Sequence, residues 1–257
     1  MASSRLAPAF RLPSLGTDYA LYVEPPPPAP LTGRSSVAAP APPWPVVLCL
    51  DGDDQFDALR AARADLASER ALPPLLLVGI GYGASYQEPA NRRGRDYTPV
   101  PIEGAPEGGG ADAFLDFLVT RLWPELERRY PIDNYTRAVA GHSLGALFAL
   151  HALFKPAPFF NRVLASAPSI WWGERALLRS VAELRAKQGA LPARVFLGVG
   201  ERDSRSMIED LDLLEARLDA EPFAGLEIPR ARFPRKNHFN SLAPGFRAGL
   251  AALFAPE

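Results

Sequence analysis

Cysteine is almost missing: Cys49 is the only one in 257 residues, so no disulfide can form within the chain. It lies in the apolar run Val46-Val47-Leu48-Cys49-Leu50, where it reads as a small buried hydrophobe. An excess of one charge is missing too, since 28 Lys and Arg stand against 29 Asp and Glu with no long basic run. That balance offers no electrostatic reason to expect nucleic acid or an anionic membrane as a partner. No apolar stretch is long enough to span a bilayer, and Met1-Ala2-Ser3-Ser4-Arg5-Leu6-Ala7-Pro8 does not read as a signal peptide. A soluble, cytoplasmic protein is the expectation. Internal repeats and a clear interdomain linker are also lacking, so residues 1–257 are expected to form one α/β domain with a substantial core.

What is present is an alternation of short apolar runs and amphipathic stretches, the pattern of a mostly parallel sheet with helices on both faces. Strands are predicted at 19–23, 46–50, 75–80, 136–140, 162–167, 193–200 and within 226–233. Helices are predicted at 56–71, 111–130, 146–152, 174–188, 207–218 and 242–254. Residues 25–45 are rich in proline, which lacks a donor and has a fixed φ, so an exposed loop is expected there. The pattern dissolves again over 81–110, and irregular segments of that length in compact domains are usually functional or disordered.

One strand-to-helix junction carries chemistry. Gly141-His142-Ser143-Leu144-Gly145 follows Thr136-Arg137-Ala138-Val139-Ala140 and precedes Ala146-Leu147-Phe148-Ala149-Leu150. Glycines two residues to either side let the backbone crowd into a sharp turn that projects the serine, the arrangement of a nucleophile elbow. The bare pattern recurs by chance; its strand-then-helix setting is what gives it weight.

A serine hydroxyl needs a base, and the chain has three histidines. His142 adjoins the serine and should point away from it. His151 lies about 12 Å along the following helix axis, too far to take the proton. That leaves His238, in Arg235-Lys236-Asn237-His238-Phe239, between the last apolar run and the last helix. The acid is expected just past the preceding strand, where Glu201 and Asp203 compete. Asp203 is preferred, because Gly200 three residues earlier suits a tight turn that aims the carboxylate back. Asp210, Asp212 and Glu215 fall in an amphipathic stretch and read as a solvated helix face.

Further segments complete the candidate site. The turn Asp51-Gly52-Asp53-Asp54 follows a central strand, at the edge where open α/β sheets place their ligand crevice. An oxyanion hole is expected from the N–H of Leu144 and of either Gly52 or Asp53. The acidic run also suggests a cation site, but no matching ligand cluster accompanies it, so neither metal nor cofactor is expected. Arg92, Arg93, Arg95, Arg235 and Lys236 are candidates to converge on an anionic substrate, with Arg93 and Arg95 favoured. Trp171 and Trp172 follow Ala165-Ser166-Ala167-Pro168-Ser169-Ile170 and are candidates to line a pocket for an acyl or aromatic group.

Four stretches together, Leu50-Asp51-Gly52-Asp53, Arg92-Arg93-Gly94-Arg95-Asp96-Tyr97-Thr98-Pro99, Gly141 through Ala149, and Ser169-Ile170-Trp171-Trp172, resemble the esterase D branch of the α/β-hydrolases, and within it the siderophore esterases. The resemblance covers residues 19–254 and implies an α/β-hydrolase fold. It implies hydrolysis of a trilactone siderophore such as enterobactin, salmochelin or bacillibactin, with Ser143 and His238 catalytic and Tyr97 joining the substrate-binding candidates. Some members work with a Ser-His dyad, which leaves the role of Asp203 open. A small-molecule ester is the expected partner. A general carboxylesterase or thioesterase like S-formylglutathione hydrolase, and a hydrolase fold kept as a catalytically silent binding module, are the alternatives.

Overall fold

The computed structural model describes residues 7–27, 43–69 and 72–254. Most of the proline-rich segment expected to be an exposed loop, 28–42, lies outside the described residues. Among the described residues, one nine-stranded sheet runs in the order β1-β2-β4-β3-β5-β6-β7-β8, with β9 also pairing β7. The strands are β1 Phe10–Ser14, β2 Thr17–Glu24, β3 Trp44–Cys49, β4 Leu76–Gly81, β5 Ile132–His142, β6 Arg162–Ser166, β7 Ala190–Gly200, β8 Ala224–Glu227 and β9 Arg230–Phe233. The pairings of β3, β4, β5, β6 and β7 with one another, and of β8 and β9 with β7, are parallel; β1 to β2 and β2 to β4 are antiparallel.

The central strands read as continuous apolar runs because both their faces are covered. Helices α1 (Gly52–Ser68) and α8 (Leu242–Phe254) close one face, over Val47, Cys49, Leu77, Ala140 and Leu164. Cys49 is fully buried there, and burial pushes its thiol well up from the ordinary value. The other face carries α3 (Ala111–Phe117), α4 (Trp123–Arg129), α5 (Leu144–Leu153), α6 (Trp172–Lys187) and α7 (Arg205–Ala220). Helix α5 packs on β5 and β6 and against α3, α6 and the short helix α2 (Arg93–Asp96). Contact on all sides explains why nearly every residue of α5 is apolar and buried.

Three features depart from the periodicity. The expected helix over 111–130 contains a π-helical turn at Leu118–Leu122, two residues ahead of Pro124, which has no N–H to continue the α ladder. The last apolar run is not one strand but β8 and β9, interrupted at Ile228 and Pro229. Strand β1 had no clear signal, as its residues alternate between half-buried and exposed at the sheet edge.

Ser143 sits between β5 and α5 at φ 61°, ψ −122°, a conformation that L-residues adopt only under constraint. The constraint is close approach. A Cβ on Gly141 would lie 2.3 Å from the carbonyl carbon of Gly145, whereas one on Gly145 would meet Asp51 Oδ2 at 3.3 Å. Gly141→Ala is therefore expected to destabilise by about 3 kcal/mol or more through backbone overlap, with Gly145→Ala within about 1 kcal/mol of wild type. Urea unfolding of the two variants checks the contrast.

Candidate active site

The loops after β3, β5, β7 and β9 all open at the carboxyl edge of the sheet. Ser143 projects from the elbow, and its backbone is held on both sides: its N–H donates to Ser166 O, and its carbonyl accepts from Leu147 and Ser169. Its Oγ lies 3.3 Å from Ser169 Oγ. Leu144 begins α5, so its N–H has no acceptor within that helix.

His238 and Asp203 are brought together by two loops bonded through their backbones. Asp203 N–H donates to Gly200 O, forming the tight turn expected at Gly200, while Glu201 and Arg202 donate to Phe233 O and Lys236 O. A Cβ on Gly200 would lie 2.3 Å from Lys236 O, so only glycine lets the loops approach. Asp203 Oδ2 lies 3.1 Å from His238 Nδ1, and Asp203 Oδ1 accepts from Ser204 N–H at 2.8 Å. The Asp203 side chain is 1% exposed, against 26% for that of His238. An ionised carboxylate only accepts, so Nδ1 of His238 carries the hydrogen and Nε2 is left with its lone pair. Ser143, His238 and Asp203 line one open cavity of about 430 Å³. Glu201, the competing acid, is exposed and is not among the residues lining that cavity.

The Asp51 turn is anchored by the long irregular segment. Asp51 takes a left-handed conformation, φ 53°, ψ 45°, as the residue before α1. Its buried carboxylate receives Nε and Nη2 of Arg93 at 2.9 and 3.0 Å and Nε2 of Gln55 at 3.1 Å. Its N–H donates to the Tyr97 hydroxyl at 3.0 Å. Burial pushes the Asp51 carboxyl up, opposed by the Arg93 guanidinium; burial works against the Arg93 charge, but Asp51 outweighs it and holds Arg93 above its ordinary value. Gly52 and Asp53 are the first residues of α1, with N–H groups that have no intrahelical acceptor. The remaining acidic side chains of the run are engaged by protein: Asp53 accepts from Tyr22 and Gly83, and Asp54 from Ser85.

Several residues expected at the substrate lie elsewhere. Arg95 is engaged by Asp96, Leu15 O, Thr17 and Tyr19 at the β1–β2 edge. Tyr97 is fully buried among Tyr82, Phe114 and Phe148. Trp172 is buried and donates to Val100 O, whereas Trp171 is 41% exposed and lines the cavity. Arg93 faces Asp51, as above. The cation on the cavity wall is Arg202, and Phe239, 86% exposed, flanks His238 with its ring nearly perpendicular at 5.7 Å. Neither carried a signal beyond standing next to a candidate catalytic residue. Asp210, read as part of a solvated face, is instead 1% exposed and paired with Arg175 at 2.7 Å. Helical spacing cannot reveal a counterion from another element.

His142 is also more than a bystander. Its ring centroid is 4.6 Å from that of His238, and its Nδ1 is 3.0 Å from Ser166 Oγ. His151, two turns along, is buried and bonded to Asp112. Burial, with smaller contributions from His238 and Arg93, pulls the His142 pKa down from 6.5 to about 3. The unfolded chain therefore binds one more proton between those values, so this contribution to stability is full above pH 6.5 and is lost as pH falls toward about 3. His142→Gln is expected to lose less of its urea midpoint than wild type between about pH 7 and pH 4.5. Replacing the acid is expected to separate the two carboxylates: Asp203→Asn lowers kcat by about 100-fold or more, and Glu201→Gln leaves it within about twofold. Steady-state kinetics on a chromogenic ester measures both.

A family model described as putative esterase matches residues 15–219. Siderophore triacetylfusarinine C esterase of Aspergillus fumigatus is 41% identical over 142 residues, 53% of this chain and 48% of the relative. Ferri-bacillibactin esterase BesA of Bacillus subtilis is 30% identical over 229 residues, 81% of this chain and 78% of the relative. The match thus spans about half the length of the Aspergillus protein and most of the Bacillus one. Among solved structures, the BES protein from Bacillus cereus has a TM-score of 0.81 at 26% identity, covering 100% of this chain and 97% of its own. An IroE-like serine hydrolase from Shewanella oneidensis has a TM-score of 0.79 at 26% identity, covering 95% and 78%.

Proposed function

The chain belongs to the putative esterase family and has the α/β-hydrolase fold, and from that premise we propose that it is a serine esterase working through an acyl-enzyme. The observation that carries this reading is the 3.1 Å approach of Asp203 to His238 on the wall of the cavity that also holds Ser143. His238 Nε2 takes the Ser143 proton as Oγ attacks the carbonyl carbon. The N–H of Leu144, with that of Gly52 or Asp53, receives the oxyanion. The tetrahedral intermediate collapses, the C–O bond breaks, and imidazolium returns the proton to the leaving alkoxide. Water then attacks the acyl-enzyme with His238 again as base, releasing acid and free Ser143. Asp203 holds the imidazole tautomer and favours its cation throughout.

In this reading Arg93 acts through Asp51, fixing the left-handed turn that presents the α1 N–H groups, while Trp171, Phe239 and Arg202 meet the substrate. The substrate we propose is a trilactone siderophore. Support comes from relatives named as siderophore esterases and from a cavity that combines exposed aromatic rings with a cation. Action in the cytoplasm belongs to the same proposal, in keeping with a lone, buried cysteine.

The test compares wild type with Ser143→Ala on a short p-nitrophenyl ester and on a trilactone siderophore with and without iron, with products read by mass spectrometry. Both cleavages are expected, each falling by about 1000-fold or more in the variant. Turnover of the short ester alone would contradict the siderophore reading and leave a general carboxylesterase. Turnover that survives in Ser143→Ala would contradict the serine mechanism.

A further inference from the structure

His142 precedes the nucleophile in the chain but meets the catalytic base in space. At the end of β5 its parallel partner in β6 is Ser166, and its Nδ1 lies 3.0 Å from Ser166 Oγ. Its ring also hydrogen-bonds the backbone of His238, while the two imidazoles lie 4.6 Å apart and tilted by 43°. Ser166 has little freedom to turn away: it is fully buried, and a Cβ on Gly245 of α8 would lie 2.5 Å from its Oγ. The His238 carbonyl also accepts from Ser241 Oγ at 3.2 Å.

These contacts select one tautomer. A backbone carbonyl only accepts, so the ring nitrogen facing His238 carries a hydrogen; with Nδ1 on Ser166, that nitrogen is Nε2. Nδ1 of the neutral ring is then bare and accepts the Ser166 hydroxyl. The charged and titratable groups around the ring are His238, Arg93 and Asp203. A second imidazolium against His238 would oppose the positive charge that His238 gains during acyl transfer, and a neutral ring avoids that repulsion.

We propose that His142 is a positioning residue for His238: Ser166 fixes its tautomer and rotation, and it holds the His238 ring and backbone so that Nδ1 stays on Asp203 while Nε2 faces Ser143. This rests on His238 being the base of the proposed esterase. A buried apolar residue would fill the same space but would make neither directional bond. His142 acts through His238 and touches no reacting atom.

The experiment has a spectroscopic arm and a kinetic arm on the full chain. With histidine ring nitrogens labelled, NMR of wild type is expected to show His142 as the Nε2–H tautomer, with no titration between about pH 5 and pH 9. The Nδ1–H tautomer, or a titration in that range, overturns the arrangement whatever the protein catalyses. In the kinetic arm, His142→Phe keeps a flat ring against His238 and removes both hydrogen bonds, whereas His142→Gln retains an N–H donor for the His238 carbonyl. His142→Phe is expected to lower kcat about tenfold with KM within about twofold, and His142→Gln to recover most of the loss. Ser166→Ala should lower kcat in the same way and add little to His142→Phe, since coupled residues are not additive. Wild-type kcat in His142→Phe, or a loss that His142→Gln does not recover and Ser166→Ala does not share, overturns the proposal. Should His142→Phe fail to fold, Ser166→Ala and the tautomer decide it. Loss of Ser143 dependence in wild type would instead sink the esterase reading, and the base-positioning role with it.

Discussion

The positive-φ turn at Ser143 is the constraint on which the site depends. It exists because Gly141 lets the end of β5 approach the backbone of Gly145 at the start of α5 more closely than any side chain at position 141 allows. The turn is over-determined by Ser166, Leu147 and Ser169, all bonded to the Ser143 backbone, the condition under which a strained conformation persists. Once β5 ends there, the parallel order of the sheet dictates what surrounds it. Strand β3 on one side delivers Asp51 and Gly52; β6 on the other delivers Ser166 and Ser169, and β7 and β9 beyond it deliver Asp203 and His238.

A buried ion pair supplies the second anchor. Arg93 grips Asp51 with both ends of its guanidinium fork while stacking over Tyr86 at 4.9 Å, and Tyr97 receives the Asp51 N–H. Removing one member of such a pair leaves an uncompensated buried charge, typically 3–5 kcal/mol. The irregular segment after β4 is thereby ordered around the turn that starts α1. Its Arg93 and Arg95 serve internal contacts, and the cavity takes its positive charge from Arg202 instead.

The order of strands and helices was readable from sequence because strands covered on both faces appear as uninterrupted apolar runs, and the elbow because its spacing places Gly141 where a side chain would overlap the backbone of α5. With three histidines, elimination singled out His238 as the candidate base, and the tight turn after Gly200 favoured Asp203 over Glu201 as the candidate acid; the two lie 3.1 Å apart. What sequence did not convey depends on contacts between distant segments. The Arg93–Asp51 pair joins residues 42 apart, and charge alone made Arg93 and Arg95 look like substrate ligands. Asp210 shares the buried stripe of α7 with Met207, Leu211 and Leu214, but its charge read as solvated because its partner Arg175 lies 35 residues away in the chain. His142 was expected to turn away from Ser143, and only the fold shows that its ring lies against that of His238. The break at Pro229 and the edge strand β1 left too little periodicity to be seen.

The central claim is that Ser143 carries the acyl group. Quenching wild-type enzyme with acid during steady-state turnover of a slowly deacylating ester, followed by digestion and mass spectrometry, tests it most directly. The account predicts a mass increase equal to the acyl group on the peptide containing Ser143, assigned to that residue by fragmentation. An acyl adduct on another residue, or turnover with no trapped adduct under conditions where deacylation is rate-limiting, would contradict it.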